Sequence, residues 1–372
     1  MDKKVIVAGH ICLDITPVFK GDKKDKVSEV LMPGKLVEAG AASVSTGGAV
    51  ANTGLAMKLL GADVRLMGKI GTDEFGDMIC NILDRYGAES DMIRDEKEST
   101  SYSVVLAIPG IDRIFIHCPG TNNTYGAADV SEAVLKETVL FHFGYPSLMK
   151  RMYENSGKEL IALFKKAKDA GCATSLDLAA VDPKSEAGRA DWEEILKQVI
   201  PYVDFFVPSI EELCFMIDRK RYGDWQERAG DHVITEILDT DRDIRPLADR
   251  CMALGAKVLL LKCGAKGLYY RTAPSNEIDK ISVKLGLDAG AWSEKEGFER
   301  SYKPKAVLSA TGAGDTSIAA FLTAVLDGCP VEECVRLAAA TGACCVSSYD
   351  ALSGLMPFPR LREKIEHGWE KN

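Results

Sequence analysis

Histidine is scarce in this chain, with 5 among 372 residues, and none of the five stand at metal-ligand spacing. No Cys-x2-Cys pair occurs among the 11 cysteines. An odd count without zinc spacing argues against a metal ribbon or a disulfide scaffold and fits the reduced thiols of a cytoplasmic protein. Cys344-Cys345 reads as packing within a small-residue helix. Positive charge is in deficit, 46 Lys and Arg against 55 Asp and Glu. The net charge of -9 argues against a nucleic-acid or anionic-membrane surface. The longest apolar runs, such as Val258-Leu-Leu-Leu261, are strand-sized and far short of a membrane span. Lys3-Lys4 before Val5–Leu13 faintly mimics a secretion signal, but Asp14 follows without a small-residue cleavage site, so a buried first strand is expected. Two nucleotide motifs are also missing. No Gly-x4-Gly-Lys-Ser/Thr loop occurs, and Gly312-Ala-Gly314 meets Ser317 where a dinucleotide fold needs its third glycine.

What is present alternates between strand and helix patterns. Core strands are expected at Val5–Ala8, Val64–Met67, Leu140–Phe143, Ala173–Asp177, Phe205–Val207, Val258–Lys262 and Leu268–Tyr270. Helices are expected at Ala49–Leu60, Phe75–Tyr86, Gly157–Ala170, Pro208–Phe215, Arg245–Leu254 and Val331–Tyr349. This alternation predicts an α/β fold, a mostly parallel central sheet with helices on both faces. Val27–Val44, and Ser101–Val105 with Ile111–His117, read instead as β ribbons, the latter turning through Ile108-Pro-Gly110. The charge-dense run Arg219–Arg245 reads as a solvated face or loop. For Arg271–Lys305, with Trp292 and Phe298, two readings stand: a border of a nucleotide pocket, or surface packing.

The chemistry concentrates in Ala310-Thr311-Gly312-Ala313-Gly314-Asp315-Thr316, followed by a helical pattern that ends at Gly328. Small residues at a helix start leave backbone N–H groups and the positive dipole end open to an anion. A carboxylate there repels a resident anion, yet it can take a proton from a hydroxyl attacking a transient one. Gly312, Ala313 and Gly314 as anion hole with Asp315 as base predict phosphoryl transfer to an alcohol. The plainer reading is a tight connection with Asp315 as a helix cap.

Near the N-terminus, Gly47-Gly48-x3-Asn52 opens a helix and is followed by Gly68-x2-Gly71-x-Asp73-x2-Gly76. These two segments, with the Gly312–Asp315 turn far downstream, resemble the signatures of the ribokinase-like (PfkB) carbohydrate kinases, over a span from Val5 to about Ile365. The resemblance implies one ribokinase-like kinase domain over 1–372, with a small β lid at approximately 15–45 and 100–125 covering the acceptor. It implies ATP and Mg2+ as partners of a sugar-like substrate, and a homodimer paired through the lid. Asp14, read as ending the first strand, matches the family's acceptor-binding carboxylate, and Gly47, Gly48 and Asn52 match the segment that touches the acceptor. Lys262, Gly264 and Gly267 resemble the nucleotide loop. Glu212 matches the glutamate that organises Mg2+ through water, although Ser209 replaces the asparagine that usually precedes it. Ser309-Ala310 replaces the usual Asp-Thr, so weak activation by a monovalent cation such as potassium is expected. Ala338–Ala343 and Ser347–Ala351 match the adenine side only loosely. On the acceptor side, Asn122 and Asn123 suit polyhydroxyl recognition, Arg113 reads as facing solvent with a sugar phosphate as the alternative, and His10 and His117 read as structural. A sugar kinase is the leading expectation. Nucleoside or sugar-phosphate kinases, and a non-catalytic ligand-binding relative, are the alternatives.

Overall fold

The computed structural model describes residues 3–111, 114–281 and 283–372. In chain order its strands are β1 (Lys4–Gly9), β2 (Cys12–Thr16), β3 (Ser43–Gly47), β4 (Asp63–Gly71), β5 (Glu89–Asp95), β6 (Tyr102–Leu106) and β7 (Ile114–Cys118). They continue as β8 (Leu140–Gly144), β9 (Ala173–Asp177), β10 (Phe205–Phe206), β11 (Val258–Lys262), β12 (Gly267–Thr272) and β13 (Glu296–Arg300). Nine build one sheet in the order β13-β12-β11-β10-β9-β8-β1-β4-β5, and a second sheet runs β3-β2-β6-β7. The large sheet is parallel from β11 to β5, with β12 and β13 added as an antiparallel edge.

Side-chain alternation builds a core on each face of this sheet. Val5, Val7, Val258 and Leu260 join one cluster, whereas Ile6, Ala8, Leu259 and Leu261 join the other. Strands buried on both faces read as unbroken apolar runs, which is why these were legible. On the first face the helix Ala313–Leu326 lies between the helices Ala49–Leu59 and Val331–Cys345. Its residues from Asp315 to Leu326 are all buried, so it needs no polar face. Gly54 lets the Ala49 helix sit directly on the sheet, since a Cβ there would lie 2.2 Å from Leu66 Cδ2.

Several expectations are corrected. Val27–Val44 is not a ribbon: it is largely irregular, with one 3-10 turn at Val27–Glu29, and β2 and β3 of the small sheet flank it. Its Lys35, its glycines and Pro33 break the alternation that burying one strand face requires. The other expected ribbon forms as β6 and β7, with Arg113 outside the described residues. Arg219–Arg245 is folded as the helices Arg219–Ala229 and Ile234–Ile237 and a π turn at Thr240–Ile244. Most of its charged side chains are exposed, as a solvated face requires, and one pair is turned inward. Asp243, 1% exposed, accepts from Arg228 at 2.6 and 2.9 Å and from Trp225 Nε1 at 3.1 Å. Burial works against the charge of Asp243, yet the Arg228 guanidinium and neighbouring donors hold its carboxyl down to about 2. Within 271–305, Trp292 is a core residue, edge-on to Phe205 and Phe321 with ring centroids 6.2 Å from each.

The small sheet is tied to the large one at its root. Asp73 caps the helix Glu74–Arg85 by accepting from Gly76 N at 2.9 Å, and it also accepts from Thr100 N at 2.8 Å. Thr100 Oγ1 in turn accepts from Gly71 N at 2.8 Å. Asn122 brackets Ile11, accepting from its N–H at 3.2 Å and donating to its carbonyl at 2.9 Å.

Candidate active site

The strand order reverses at β1, which has β8 on one side and β4 on the other. In open α/β sheets the crevice beyond the carboxyl ends at such a switch point receives the ligand. The ends of β1 and β8 approach closely there: Gly9, at φ 123°, would place a Cβ 2.4 Å from Gly144 O. His10 follows β1 and Tyr145 follows β8, while Asp177 and Lys262 are the last residues of β9 and β11.

Helix Ala313–Leu326 points its N-terminus into the same crevice. Gly312 caps it at φ 77°, a left-handed conformation that favours glycine. The Ala313 N–H bonds Ala310 O at 3.3 Å. The Gly312 and Gly314 N–H groups meet no protein acceptor among the described residues. Asp315, in the first turn, is 3% exposed. It accepts from the Tyr145 hydroxyl at 2.7 and 2.8 Å, from Asn52 Nδ2 at 3.0 Å and from Thr53 Oγ1 at 3.4 Å. Burial raises its pKa above the ordinary carboxylate value, while Tyr145, the Lys262 charge, Asn52 and Thr53 hold the rise back. A carboxylate so placed is a stronger base than one in water.

Tyr145 was invisible to the motif reading. It adopts φ 66°, rare for a residue with a large side chain, between Gly144 and Pro146. Burial and then the Asp315 charge push its phenol well above its usual range, so it stays a donor. A Gly-Tyr-Pro step closing a buried strand was the available signal.

Lys262, which the resemblance places in the nucleotide loop, is engaged within the protein. Its ammonium is paired with Asp177 and donates to Val207 O at 2.8 Å, rather than standing free for a phosphate. Its stem passes Gly314, where a Cβ would lie 3.3 Å from Lys262 Cε. Asp177 is pushed up to about 8, by burial first, with Lys262 opposing and the charges of Glu212 and Asp315 adding to the rise. Glu212 lies in the first turn of the helix Ile210–Ile217 and accepts from Ser209 N at 3.3 Å. No group of three or more His, Cys, Asp or Glu side chains among the described residues is arranged to hold a metal directly. The nucleotide-loop glycines are close-approach positions: a Cβ on Gly264 would lie 2.7 Å from Thr235 Oγ1, and one on Gly267 2.0 Å from Glu299 O. Lys266 donates to Leu238 O at 2.6 Å, so the charged segment 219–245 braces this loop.

On the acceptor side, Asp14 does not end the first strand. The chain turns at His10-Ile11 and enters the small sheet, where Asp14 lies at the centre of β2 opposite Ser45. Its carboxylate rests against Gly47, where a Cβ would lie 2.2 Å from Asp14 Oδ2, and Cys12 Sγ donates to it at 3.3 Å. Gly48, at φ 87°, is packed on His10, with 2.5 Å from a Cβ to His10 Nδ1. Asn122 is occupied by the backbone through both ends of its amide, contrary to the polyhydroxyl reading, whereas Asn123 is engaged through its oxygen, accepting from Lys150 N at 3.0 Å.

Fold and site together define an α/β enzyme whose charged groups are gathered at the switch point of its sheet. The model of the pfkB family carbohydrate kinases matches residues 2–357, and the chain belongs to that family. It is 27% identical to an uncharacterized sugar kinase of Archaeoglobus fulgidus, over 81% of this chain and 98% of the relative. Its fold is similar to that of Arabidopsis thaliana ribokinase complexed with ribose and ATP, with TM-score 0.69, 22% identity and 98% of each chain covered. It is also similar to a fructokinase with bound ATP from Xylella fastidiosa, with TM-score 0.71, 18% identity and 99% of each chain covered. No described helix is long and apolar enough to cross a membrane.

Proposed function

We propose that this chain transfers the γ-phosphoryl group of ATP to a hydroxyl of a small sugar. The observation that carries the reading is the buried Asp315, raised in pKa and held by Tyr145 and Asn52 at the open N-terminus of a glycine-started helix. Asp315 takes the proton of the attacking hydroxyl, for which a positioned base contributes roughly 10²–10⁴-fold. The Gly312 and Gly314 N–H groups face the charge that develops on the transferring group, and one such donor is worth on the order of 3 kcal/mol. Lys262 is within reach of that turn along Gly314 and exchanges Asp177 for a phosphate oxygen when nucleotide arrives. Gly264 and Gly267 shape the loop beside it. Asp14, Gly47, Gly48 and Asn52 border the acceptor. The convergence of Asp177, Glu212 and Asp315 fits a magnesium ion that keeps most of its water shell and travels with the nucleotide phosphates. When bound there, magnesium would supply charge neutralisation, and Glu212 is the residue that would hold it, through water.

Two cores packed on the two faces of one sheet, whose strands run from Lys4 to Arg300, support one kinase unit over the whole chain. The relatives' names support ribose- or fructose-like acceptors. Exposed Phe115 and Ile116 on the edge strand β7 give the small sheet an apolar margin suited to a homodimer. The test is ADP release from Mg-ATP across pentoses, hexoses, sugar acids, sugar phosphates and nucleosides, with Asp315→Asn alongside. One strong acceptor whose turnover collapses in the variant supports the reading. Ligand binding without turnover by any acceptor supports a binding-only protein instead.

A further inference from the structure

One buried side chain at the switch point has no role in the scheme above. His10 is 2% exposed, and neither of its ring nitrogens has a hydrogen-bond partner among the described residues. Buried polar atoms are nearly always satisfied, so an imidazole with both positions vacant marks a place for a partner from another molecule. His142, the other buried histidine, differs: its Nδ1 shares a hydrogen bond with Ser175 Oγ at 2.9 Å.

The surroundings of His10 form a wall between the base and the small sheet. Its ring lies 5.3 Å from that of His117 on β7 and 6.0 Å from that of Tyr145, whose hydroxyl holds Asp315. His117 Nδ1 shares a hydrogen bond with Ser103 Oγ at 3.0 Å, and Ser103 Oγ lies 3.9 Å from Cys12 Sγ, which donates to Asp14. His10 is thus connected through Tyr145 to Asp315 and through His117, Ser103 and Cys12 to Asp14, the two carboxylates that bracket the acceptor in the proposed reaction. Burial first, then the neighbouring His117, lower its pKa to about 3, and burial lowers that of His117 as well. Both rings are neutral near pH 7. A neutral imidazole offers one N–H donor and one acceptor, the same complement as a hydroxyl, and it has no charge to offer an anion.

We infer that His10 selects the acceptor: its Nε2, the ring nitrogen that Gly48 does not cover, hydrogen-bonds a hydroxyl of an uncharged polyol, so neutral sugars are taken in preference to their phosphates. The inference rests on the kinase reading and deepens it.

The experiment compares D-fructose, D-ribose and their monophosphates as acceptors for wild type, His10→Phe and His10→Asn, with melting temperatures confirming folding. Phenylalanine keeps the ring and removes both nitrogens, whereas asparagine keeps a donor and an acceptor. The expected result is a neutral sugar as the better wild-type substrate. His10→Phe raises its KM by roughly tenfold, the loss of one hydrogen bond, with kcat and the KM for ATP little moved and His10→Asn less affected. An unchanged acceptor KM in both variants, or a preference for a monophosphate, overturns the inference. Should wild type turn over none of the four, the kinase reading fails first, and histidine ring-nitrogen NMR then decides the second point. A His10 shift with D-fructose or D-ribose but not with their monophosphates sustains the inference, and no shift with any of them sinks it.

Discussion

The Tyr145 hydroxyl donates to both carboxylate oxygens of Asp315, at 2.7 and 2.8 Å. A phenol bridging both oxygens fixes the plane of the carboxylate and opposes the rise in its pKa that burial causes. In Tyr145→Phe the base is less firmly oriented, and kcat is expected to fall about three- to tenfold, the size of one hydrogen bond. Wild-type levels of kcat in that variant would remove Tyr145 from the positioning of the base.

The same pair sets a pH dependence. Asp315 works ionised, and its pKa is raised, so kcat/KM falls on the acid side at a pH above the ordinary carboxylate range. Removing the Tyr145 donor raises that pKa further. The acid limb of the Tyr145→Phe profile should therefore lie at higher pH than that of wild type, and a limb displaced to lower pH would contradict the assignment.

Asp315→Asn keeps the size of the side chain and loses the proton acceptor. Turnover should drop by about 10²-fold or more while ATP binding, followed by calorimetry, largely survives.

Lys262 and Asp177 form a pair that is 12% and 3% exposed. Lys262→Met strands the Asp177 carboxylate in the interior, beside Glu212 and Asp315. Breaking a buried pair from one side costs about 3–5 kcal/mol, and denaturant unfolding should show a loss of that order. Without its partner Asp177 is held protonated to still higher pH, so the loss is largest in alkaline buffer, where the stranded carboxylate must ionise. The KM for ATP should rise in the same variant.

Asp73→Ala removes the cap of the Glu74–Arg85 helix together with the tie to Thr100. A lost cap costs about 0.5–2 kcal/mol. Burial works against the Asp73 charge, but hydrogen bonds from Thr100 and Gly76 win and lower its pKa. Its contribution to stability is thus present above the ordinary carboxylate value and disappears as pH falls through the depressed one. Urea titrations of wild type and variant should converge in acid.

Legibility followed burial. Ala173–Asp177 and Val258–Lys262 match the expected strands to the residue, and both are buried on two faces, the second as an apolar run. β5, Glu-Ser-Asp-Met-Ile-Arg-Asp, and β13, Glu-Gly-Phe-Glu-Arg, went unseen, because edge strands with polar faces carry little periodicity. Arg219–Arg245 was legible as a solvated face, but composition shows neither its helices nor the one pair, Arg228 with Asp243, that points inward. In the site, Asp315 and its turn were readable as a local pattern. Tyr145 and Asp177 were not, since each joins the centre only through the parallel alignment of β8 and β9. The family glycine signature around Asp73 turns out to be an anchoring device rather than a contact with the reacting groups.

That anchoring limits how the active site can open. With Asp73 fastened to Thr100, Thr100 to Gly71, and Asn122 clasped around Ile11, the roots of β2 and β6 are pinned to the end of β4 and the exit of β1. A rigid swing of the small sheet would break all of these ties at once. What the ties leave unrestrained is the far end of the strands, where the long excursion 17–42 leaves β2 and rejoins β3, so an opening of the proposed site would be expected there rather than at a hinge in the root.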